Sequence, residues 1–182
     1  PAMEYNPMEA VKTNILGTQN VLEAAGECGV TNHITLSTDK AVSPINLYGA
    51  SKLVAEKLTI ATNNIYPDSN FNVVRYGNVA MSAGSVIPLF HNWCVDKKPL
   101  EITHLDMTRF WIELDDAANF VIQRLLAPYN SVRGAIYIPD MDAYHMRDLV
   151  EIFSTDKAPN KIVGIRPGEK IHEQIITDSE AL

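Results

Sequence analysis

Residues 33–52 read HITLSTDKAVSPINLYGASK. The first five residues of this stretch, 33–37, have the pattern of a short strand that polar residues follow. Apolar residues then recur at helical spacing over residues 48–63, which predicts a helix. The polar residues between these two segments therefore form a loop that connects the end of a strand to the start of a helix.

The segments on both sides continue this alternation. Before the strand, Asn6 is a suitable N-cap, Pro7 suits the first helical position, and Gly29 is a typical helix terminator. After the second helix, residues 71–79 have the pattern of another strand. Helix, strand, helix and strand in succession predict the α/β class, with a parallel sheet whose strands are joined by crossover helices.

Beyond residue 80 the pattern is less regular, and residues 96–109 are mostly polar and loop-like. A soft boundary near residues 80–84 therefore divides the sequence into residues 1–80 and residues 81–182. The elements expected in this part are helices near 86–93, over 114–126 and over 146–153, and strands at 100–102, 135–138 and 161–165.

The composition is that of an ordinary globular protein and excludes several classes of function. Of 182 residues, 46% are apolar and 20% are charged, and the formal net charge is −7. The sequence shows neither a basic face for nucleic acid nor an apolar run long enough for a membrane span. Cys28 and Cys94 lack CxxC spacing, and the histidines lack metal-ligand spacing. We therefore expect no metal site and no disulfide scaffold, but two buried free thiols of a cytoplasmic protein.

Tyr48 and Lys52 carry the first chemical signal. They are four residues apart on the predicted helix, so both side chains lie on one face. A nearby ammonium group favours the phenolate and lowers the pKa of a tyrosine. The pair is therefore a candidate general acid/base for a sugar or alcohol hydroxyl. An ordinary exposed tyrosine and lysine would have the same spacing, so the pair alone is a weak signal.

The loop before this helix strengthens the interpretation. The segment Ser37-Thr38-Asp39-Lys40 follows a strand directly, and ligands of open parallel sheets bind beyond the carboxyl ends of the strands. The next helix brings Tyr48 to the same edge. Hydroxyl, carboxyl, ammonium and phenol groups are therefore predicted to converge there. Asp39 and Lys40 must lie in a loop to do so, because neighbouring side chains of an extended strand diverge.

This stretch, from Ser37 to Lys52, resembles the extended short-chain dehydrogenase/reductase superfamily. Within that superfamily, the sequence is similar to the inverting UDP-N-acetylglucosamine 4,6-dehydratases of bacterial polysaccharide biosynthesis and flagellin glycosylation. Related dehydratase–epimerases carry Met where this chain has Tyr48, which favours the simpler dehydratase. The resemblance covers essentially the whole chain, and its other motifs are Asn6-Pro7, Lys12-Thr13-Asn14, Gly17-Thr18-Gln19-Asn20-Val21, Arg75-Tyr76-Gly77-Asn78-Val79, Gly84-Ser85-Val86-Ile87-Pro88, Met107-Thr108-Arg109-Phe110-Trp111 and Arg166-Pro167-Gly168-Glu169-Lys170.

The resemblance implies catalytic roles for residues of the loop and the helix. Tyr48 would take the proton of the sugar C4 hydroxyl as hydride leaves C4 for NADP. Lys52 would bind the nicotinamide ribose and lower the pKa of Tyr48. Lys40 would remove the C5 proton, which the 4-ketone acidifies. Asp39 would protonate the departing C6 hydroxyl, Thr38 would hydrogen-bond the reacting hydroxyl, and hydride would return to C6.

The resemblance also implies contacts to the remaining parts of the cofactor and the substrate. Tyr76 would contact the tightly bound NADP. Asn14 is interpreted as a structural helix residue, with a water-holding role near Lys52 as the alternative. The residues implied to bind UDP-N-acetylglucosamine, through its diphosphate, ribose and uracil, are Asn78, Val86, Ile87, Thr108, Arg109, Arg166 and Glu169.

One part of the expected enzyme has no counterpart in the sequence. A dinucleotide-binding fold opens with a βαβ unit whose glycine-rich turn holds the pyrophosphate, and residues 1–182 contain no such turn. We therefore expect a fragment with a partial Rossmann-like sheet. Residues 1–80 would be the C-terminal half of a Rossmann-type domain. Residues 81–182 would be an irregular, mainly substrate-binding part from which some elements return to the sheet.

Two other functions remain open on the sequence. A UDP-sugar 4-epimerase of the same superfamily would use Tyr48 and Lys52 but would not require Asp39 and Lys40. A non-catalytic fragment that only binds a nucleotide sugar would be consistent with the missing glycine-rich turn. The family implies a homo-oligomer for the full-length enzyme, and neither a nucleic acid nor a membrane is an expected partner.

Overall fold

The computed structural model describes residues 2–128, 132–154 and 160–181. The chain forms two compact units. The first unit takes in the residues up to Tyr76, residues 115–140 and the residues from Gln174 onward. The second unit takes in residues 77–114 and 141–173. The chain therefore leaves the first unit after Tyr76 and returns to it twice.

The elements that the sequence predicts are present in the described residues, and two strands are added to them. The helices are α1 (Ala2–Tyr5), α2 (Pro7–Ala10), a π-helix (Val11–Leu16), α3 (Gly17–Glu27), a 3-10 helix (Asp39–Ala41), α4 (Leu47–Thr62), α5 (Val86–Val95), α6 (Leu114–Leu125) and α7 (Met146–Phe153). The strands are β1 (Asn32–Thr38), β2 (Asn70–Tyr76), β3 (Asn78–Val79), β4 (Glu101–Ile102), β5 (Thr108–Ile112), β6 (Ile136–Tyr137), β7 (Asp142–His145) and β8 (Lys161–Ile162).

The first unit is built on a three-stranded parallel sheet in the order β1-β2-β6, which confirms the predicted α/β class. In the pairing of β1 with β2, Thr38 lies opposite Tyr76. Both strands therefore end at the same edge of the sheet. The apolar cluster between α3, α4 and β2 consists of Leu22, Ala25 and Phe71, with Leu58 and Tyr66 packed against it.

The N-terminal helical segment begins at Pro7, ends at Glu27 and contains the π-helix in its middle. Asn6 occupies the N-cap position as predicted, but its side chain accepts no capping hydrogen bond. Gly29 follows the helix with a φ of 68°. That left-handed conformation costs a glycine little, because glycine has no Cβ, and it terminates the helix where the sequence indicates.

A buried ion pair crosses the interior of the first unit. The guanidinium group of Arg75 in β2 donates to both carboxylate oxygens of Glu56 in α4, at 3.0 and 2.8 Å, and both side chains are almost fully buried. The same guanidinium donates to both carboxylate oxygens of Glu180 and to the main-chain oxygen of Ile175. Burial alone would lower the pKa of Arg75, but the hydrogen bonds to the two carboxylates raise it above its ordinary value. Arg75 therefore remains charged and anchors residues 175–180 to the sheet.

The second unit has a mixed sheet in the order β3-β5-β7, in which β3 and β5 are parallel and β5 and β7 are antiparallel. A separate parallel pair joins β4 and β8. The buried cluster of this unit brings residues of α5 and α7 together with residues of β4 and of the loops that flank it. Its members are Phe90, Leu100, Ile102, Met107, Met146, Leu149 and Val150.

The added strands β5 and β7 show where the sequence prediction is wrong. Residues 108 and 109 belong to β5 and not to a loop. The prediction missed this strand because its sequence has no regular apolar alternation, and only its pairing with β3 and β7 defines it.

The single strand predicted over 71–79 is divided at Gly77. A Cβ atom at Gly77 would lie 2.5 Å from the Cβ atom of Phe110, so a close backbone approach determines the break.

The exposure of the cysteines contradicts the expectation of two buried thiols. Cys28 is exposed and Cys94 is partly exposed, and both are free. The expectation of buried thiols is therefore wrong, because Cys28 follows the last residue of α3, where the chain turns at the surface. Among the described residues, no helix is long and apolar enough to cross a membrane. The same residues contain no group of His, Cys, Asp and Glu side chains able to hold a metal ion.

We predict that Glu180→Gln destabilises the first unit in a pH-dependent way. Hydrogen bonds from Arg75 hold the pKa of Glu180 at about 2, below its ordinary value of 4.5. The stabilisation is therefore present above the ordinary pKa and is lost as the pH falls towards the folded value. Urea unfolding should show a loss of about 1 kcal/mol at neutral pH. The difference in the free energy of unfolding between the parent protein and the variant should become smaller below about pH 4.5.

The matched control is Glu27→Gln, at the exposed end of α3. It should leave the free energy of unfolding unchanged within about 0.5 kcal/mol at both pH values. A Glu180→Gln effect that stays constant across the acidic range would contradict the ion-pair explanation.

Candidate active site

The loop that follows β1 brings three polar side chains together. The hydroxyl of Thr38 donates to Oδ1 of Asp39 at 2.8 Å, and the ammonium of Lys40 donates to the same oxygen at 3.0 Å. The 3-10 helix begins at Asp39, and the Thr38 hydroxyl accepts from the main-chain N–H of Lys40. The tight turn lets the neighbouring side chains of Asp39 and Lys40 converge, which an extended strand would prevent.

Asp39 is the unusual group in this loop. Its side chain is fully buried, whereas that of Lys40 is 29% exposed. Oδ1 of Asp39 has two donors, but Oδ2 is buried and has no hydrogen-bond partner among the described residues. A buried carboxylate oxygen without a donor is costly for the folded protein. Oδ2 can therefore take up a proton or accept a hydrogen bond from a ligand hydroxyl.

Helix α4 delivers Tyr48 to this loop. The side chain of Asn46 caps the helix by accepting from the main-chain N–H of Gly49 at 2.7 Å. A Cβ atom at Gly49 would lie only 2.1 Å from the main-chain oxygen of Lys40. Glycine is therefore required for the first turn of α4 to contact the loop. The sequence analysis missed this role, although a glycine in the first turn of a helix, where it lowers helix propensity, is a usable signal.

Tyr48 has a different ionisation from the one predicted. Burial raises the pKa of its phenol; the hydrogen bond with Thr38 opposes this effect, and the charges of Asp39 and Tyr76 add to it. The expectation that Lys52 lowers the pKa of Tyr48 is therefore wrong for this structure. The physical reason is that desolvation dominates.

Lys52 lies one turn after Tyr48 and is directed towards β1. Its ammonium donates to the main-chain oxygen of Leu36 at 2.9 Å. Burial lowers the pKa of Lys52, and the carboxylate of Glu56 opposes that shift. An ammonium group has three N–H donors, and Leu36 takes one of them. Lys52 therefore links the helix to the strand and retains donor capacity for a ligand.

Two further residues of the first unit complete this region. Tyr76 ends β2 opposite Thr38, and burial raises the pKa of its phenol. Asn14, in the π-helix, donates to the hydroxyl of Ser51 at 2.9 Å, and Ser51 donates to the main-chain oxygen of Tyr48. These contacts support the structural interpretation of Asn14, because they tie the π-helix to α4.

The predicted substrate-binding residues lie in the second unit. Asn78 is in β3, Val86 and Ile87 form the start of α5, and Thr108 is in β5, where its hydroxyl is hydrogen-bonded to His172. Of the predicted substrate-binding residues, the sheet β3-β5-β7 contains Asn78 in β3 and Thr108 and Arg109 in β5.

Arg109 is engaged with its own chain. Its guanidinium donates to the main-chain oxygens of Thr108, Lys170 and Ile171, at 2.7 to 2.9 Å. It also contacts the sulfur of Met107. This geometry favours a structural role for Arg109, in which it holds the segment after the Arg166–Glu169 turn against β5.

Arg166 and Glu169 lie together in a tight turn. The main-chain N–H of Glu169 donates to the oxygen of Arg166 at 3.1 Å, and Gly168 has a φ of 81°. Pro167 and Gly168 are the central residues, an arrangement typical of a type II turn. The Arg166 guanidinium is 61% exposed and lies 3.6 Å from the Glu169 carboxylate. Unlike Arg109, Arg166 is accessible to a ligand phosphate.

The family model described as "Polysaccharide biosynthesis protein" matches residues 1–182. The chain belongs to this family. The chain is 46% identical, over its whole length, to the "UDP-N-acetylglucosamine 4,6-dehydratase (inverting)" of Campylobacter jejuni and covers 54% of that protein. The identity confirms the resemblance that the sequence motifs indicate.

Two other comparisons agree on the family and the fold. The chain is 42% identical to the "UDP-glucose 4-epimerase" of Rickettsia rickettsii, over 99% of its own length and 53% of that protein. It matches the crystal structure of Pen from Bacillus thuringiensis with a TM-score of 0.88 and 37% identity, over 98% of this chain and 56% of that chain. The chain thus spans about half the length of the curated relatives it matches.

We predict that Asp39→Asn lowers the pKa of Tyr48. The Asp39 charge disfavours the phenolate, so its removal should shift tyrosinate formation to lower pH. Thr38→Val should shift it to higher pH, because that variant removes a hydrogen bond that favours the phenolate. Absorbance titration of each protein against its own Tyr48→Phe version isolates the Tyr48 signal. Asp116→Asn, in the first turn of α6, is the control, and equal titrations of Asp39→Asn and this control would contradict the prediction.

We predict that Gly49→Ala destabilises the protein by about 1–3 kcal/mol, because the added methyl group overlaps the Lys40 main-chain oxygen. Helix propensity alone would give the opposite sign, a gain of about 1 kcal/mol. Gly17→Ala is the matched control, since a Cβ atom there meets only the Lys12 oxygen at 3.4 Å. Urea unfolding of the two variants measures the difference. A Gly49→Ala protein that is more stable than the parent would contradict the close contact between α4 and the Lys40 main chain.

Proposed function

We propose that this protein acts in the C5-inverting 4,6-dehydration of UDP-N-acetylglucosamine, a lyase reaction that gives a UDP-4-keto-6-deoxy-hexosamine. The observation that carries the proposal is the convergence of Asp39 and Lys40 in the turn after β1. Elimination of water needs an acid and a base, and this turn offers both beside Tyr48. The similarity to the Campylobacter dehydratase supports the same reaction.

The residues of the first unit are suited in part to a nicotinamide cofactor. Lys52 has spare N–H donors for ribose hydroxyls, and Tyr48 and Tyr76 place two phenols near the carboxyl ends of β1 and β2. The cofactor would supply reversible storage of the hydrogen that the sugar gives up and takes back. The resemblance to the dehydratases favours NADP.

Tyr48 and Asp39 share a constraint on their protons. The charge of Asp39 opposes the Tyr48 phenolate. Phenolate therefore forms more readily when Asp39 is protonated, which is also the state in which Asp39 can act as an acid. In the proposed reaction, Tyr48 accepts the proton of the C4 hydroxyl and Asp39 gives its proton to the C6 hydroxyl as that group leaves.

Lys40 and Thr38 act on either side of Asp39. Lys40 removes the C5 proton, for which it must be a neutral amine, so its proton first leaves along the contact with Asp39 at 3.0 Å. This transfer also protonates the carboxylate, which prepares the acid for the C6 hydroxyl. After water leaves, C6 would take back the hydrogen that the cofactor stored, and C5 would gain a proton on the face opposite to the one that lost it. The Thr38 hydroxyl holds Oδ1 of Asp39 and reaches Tyr48 as well, so it orients the two groups that exchange protons with the sugar.

We propose that residues of the second unit bind the nucleotide. Arg166 would pair with the diphosphate, because its guanidinium is exposed and planar, and Glu169 would accept from ribose hydroxyls. Asn78 and Thr108 would add polar contacts, and the main chain at Val86 and Ile87 would meet the uracil. Arg109 would contribute by holding residues 170 and 171 in place.

A UDP-sugar 4-epimerase is the second candidate, which the 42% identity to the rickettsial epimerase favours. Epimerisation at C4 removes and returns hydrogen at one carbon and eliminates no water. It therefore needs Tyr48 and Lys52 but not the acid and base of the turn. The two candidates make opposite predictions for changes at Asp39 and Lys40.

We predict that the double variant Asp39→Asn, Lys40→Met abolishes dehydration, with a loss of at least about 10³-fold. The measurement is the mass of the sugar nucleotide after incubation of UDP-N-acetylglucosamine and NADP with the protein, expressed in the longest natural reading frame that contains it. A product lighter by one water with the parent protein, and no such product with the variant, is the expected result. Epimerisation leaves the mass unchanged, so the configuration at C4 is read from the proton NMR spectrum of the sugar nucleotide. A 4-epimer formed by both the parent protein and the variant, without any loss of water, would establish the epimerase instead.

A further inference from the structure

A buried polar chain leads from the interior of the first unit to the catalytic turn. Ser37, the residue before Thr38, donates its hydroxyl proton to Oε1 of Glu56 at 2.5 Å. Glu56 accepts both hydrogen bonds from Arg75 as well. Ser37, Glu56 and Arg75 are 5%, 0% and 2% exposed. Three elements, β1, α4 and β2, are therefore joined by one carboxylate.

Glu56 also belongs to the helix face that carries the proposed chemistry. Tyr48, Lys52 and Glu56 follow one another at intervals of four residues in α4, so their side chains lie along one face. The carboxylate of Glu56 acts electrostatically on the ammonium of Lys52. Glu56 is therefore hydrogen-bonded to Ser37, just before the turn that follows β1, and its charge acts on Lys52, one helical turn after Tyr48.

We propose that Glu56 is a positioning residue for the reaction: clamped by Arg75, it fixes Ser37 and the adjoining Thr38-Asp39-Lys40 turn against the helix face of Tyr48 and Lys52. The proposal rests on the function proposed above for this turn. Glu56 touches neither substrate nor cofactor in this scheme. It acts through Ser37 on the placement of Asp39 and through its charge on Lys52.

The energetics favour a role beyond stability. Burying an ion pair contributes little net stability compared with apolar residues of similar volume, because desolvation of the two charges offsets their attraction. The geometry of this pair is well defined, because Arg75 donates two hydrogen bonds to Glu56. Arg75 also donates to both carboxylate oxygens of Glu180. A bidentate contact of this kind fixes orientation. Oε1 of Glu56 accepts an additional hydrogen bond from Ser37. Ser37 lies at the end of β1, where the orientation of the strand sets the position of the turn.

Two variants separate the positional effect from the charge effect. Ser37→Ala removes only the hydroxyl that links Glu56 to the strand end and leaves the ion pair. Glu56→Gln keeps the shape of the side chain and removes its charge. We expect Ser37→Ala to lower kcat about tenfold with KM nearly unchanged. We expect Glu56→Gln to lower kcat at least as much and to lower the pKa of Lys52 as well, because the opposing carboxylate is lost.

The second readout does not depend on activity. The ε-carbon signal of ¹³C-labelled lysine, identified by its loss in Lys52→Arg, gives the titration of Lys52 in each variant. Ser37→Ala should leave this titration at the parent value, and Glu56→Gln should shift it to lower pH. A merely structural role for Glu56 would change the free energy of unfolding and leave the kcat of a folded Ser37→Ala protein at the parent value.

The control is Thr62→Val, which removes another hydroxyl of α4 that donates within the helix, to the Leu58 oxygen at 2.8 Å. It should keep the parent kcat and the parent Lys52 titration. A folded Ser37→Ala protein with the kcat of this control would overturn the proposal, as would an unchanged Lys52 titration in Glu56→Gln. If Glu56→Gln does not fold, the Ser37→Ala kinetics decide.

Failure of the proposed function gives a different pattern. The parent protein would then release no water from UDP-N-acetylglucosamine, and kcat could not be compared. The Lys52 titration could still be measured: a shift to lower pH in Glu56→Gln supports the action of the Glu56 charge on Lys52, and no shift overturns that part of the inference.

Discussion

The parallel pairing of β1 with β2 places Ser37 opposite Arg75 and Thr38 opposite Tyr76. Because the two strands run in the same direction, the polar residues that follow them share one edge of the sheet. A slip of one residue in this register would direct Ser37 to the other face. Its hydrogen bond to Glu56 would then be lost, and the turn that begins at Asp39 would no longer meet α4.

The first unit buries two carboxylates, those of Glu56 and Asp39, which differ in their hydrogen bonds. The carboxylate of Glu56 is fully satisfied by Arg75 and Ser37, which suits a fixed part of the structure. Asp39 is just as deeply buried, but Oδ2 of its carboxylate has no partner among the described residues. Folding leaves this oxygen able to take a proton or a ligand, and a catalytic role is one explanation for a buried polar group without a partner. The two buried carboxylates therefore differ in whether both oxygens have a donor.

Several features of the site could be predicted from the sequence, and others could not. The spacing of Tyr48 and Lys52 and the position of the turn after β1 follow from helical and strand periodicity. The ionisation of Tyr48 does not, because it depends on burial and on the neighbours Thr38 and Asp39. Arg109 has the residue type of a phosphate ligand, yet its guanidinium binds main-chain oxygens of a segment about 60 residues away in sequence.

The sequence by itself determined the α/β class, the family, and the residue types Asp39, Lys40, Tyr48 and Lys52 at one strand end and one helix start. These are properties of local periodicity and of short motifs. Only the tertiary structure decided that β5 and β7 are strands, that Gly49 must lack a side chain, and that Glu56 joins the core to the end of β1. The physical reason is that pairing, close approach and desolvation arise between segments that are distant in sequence, and no local pattern records them.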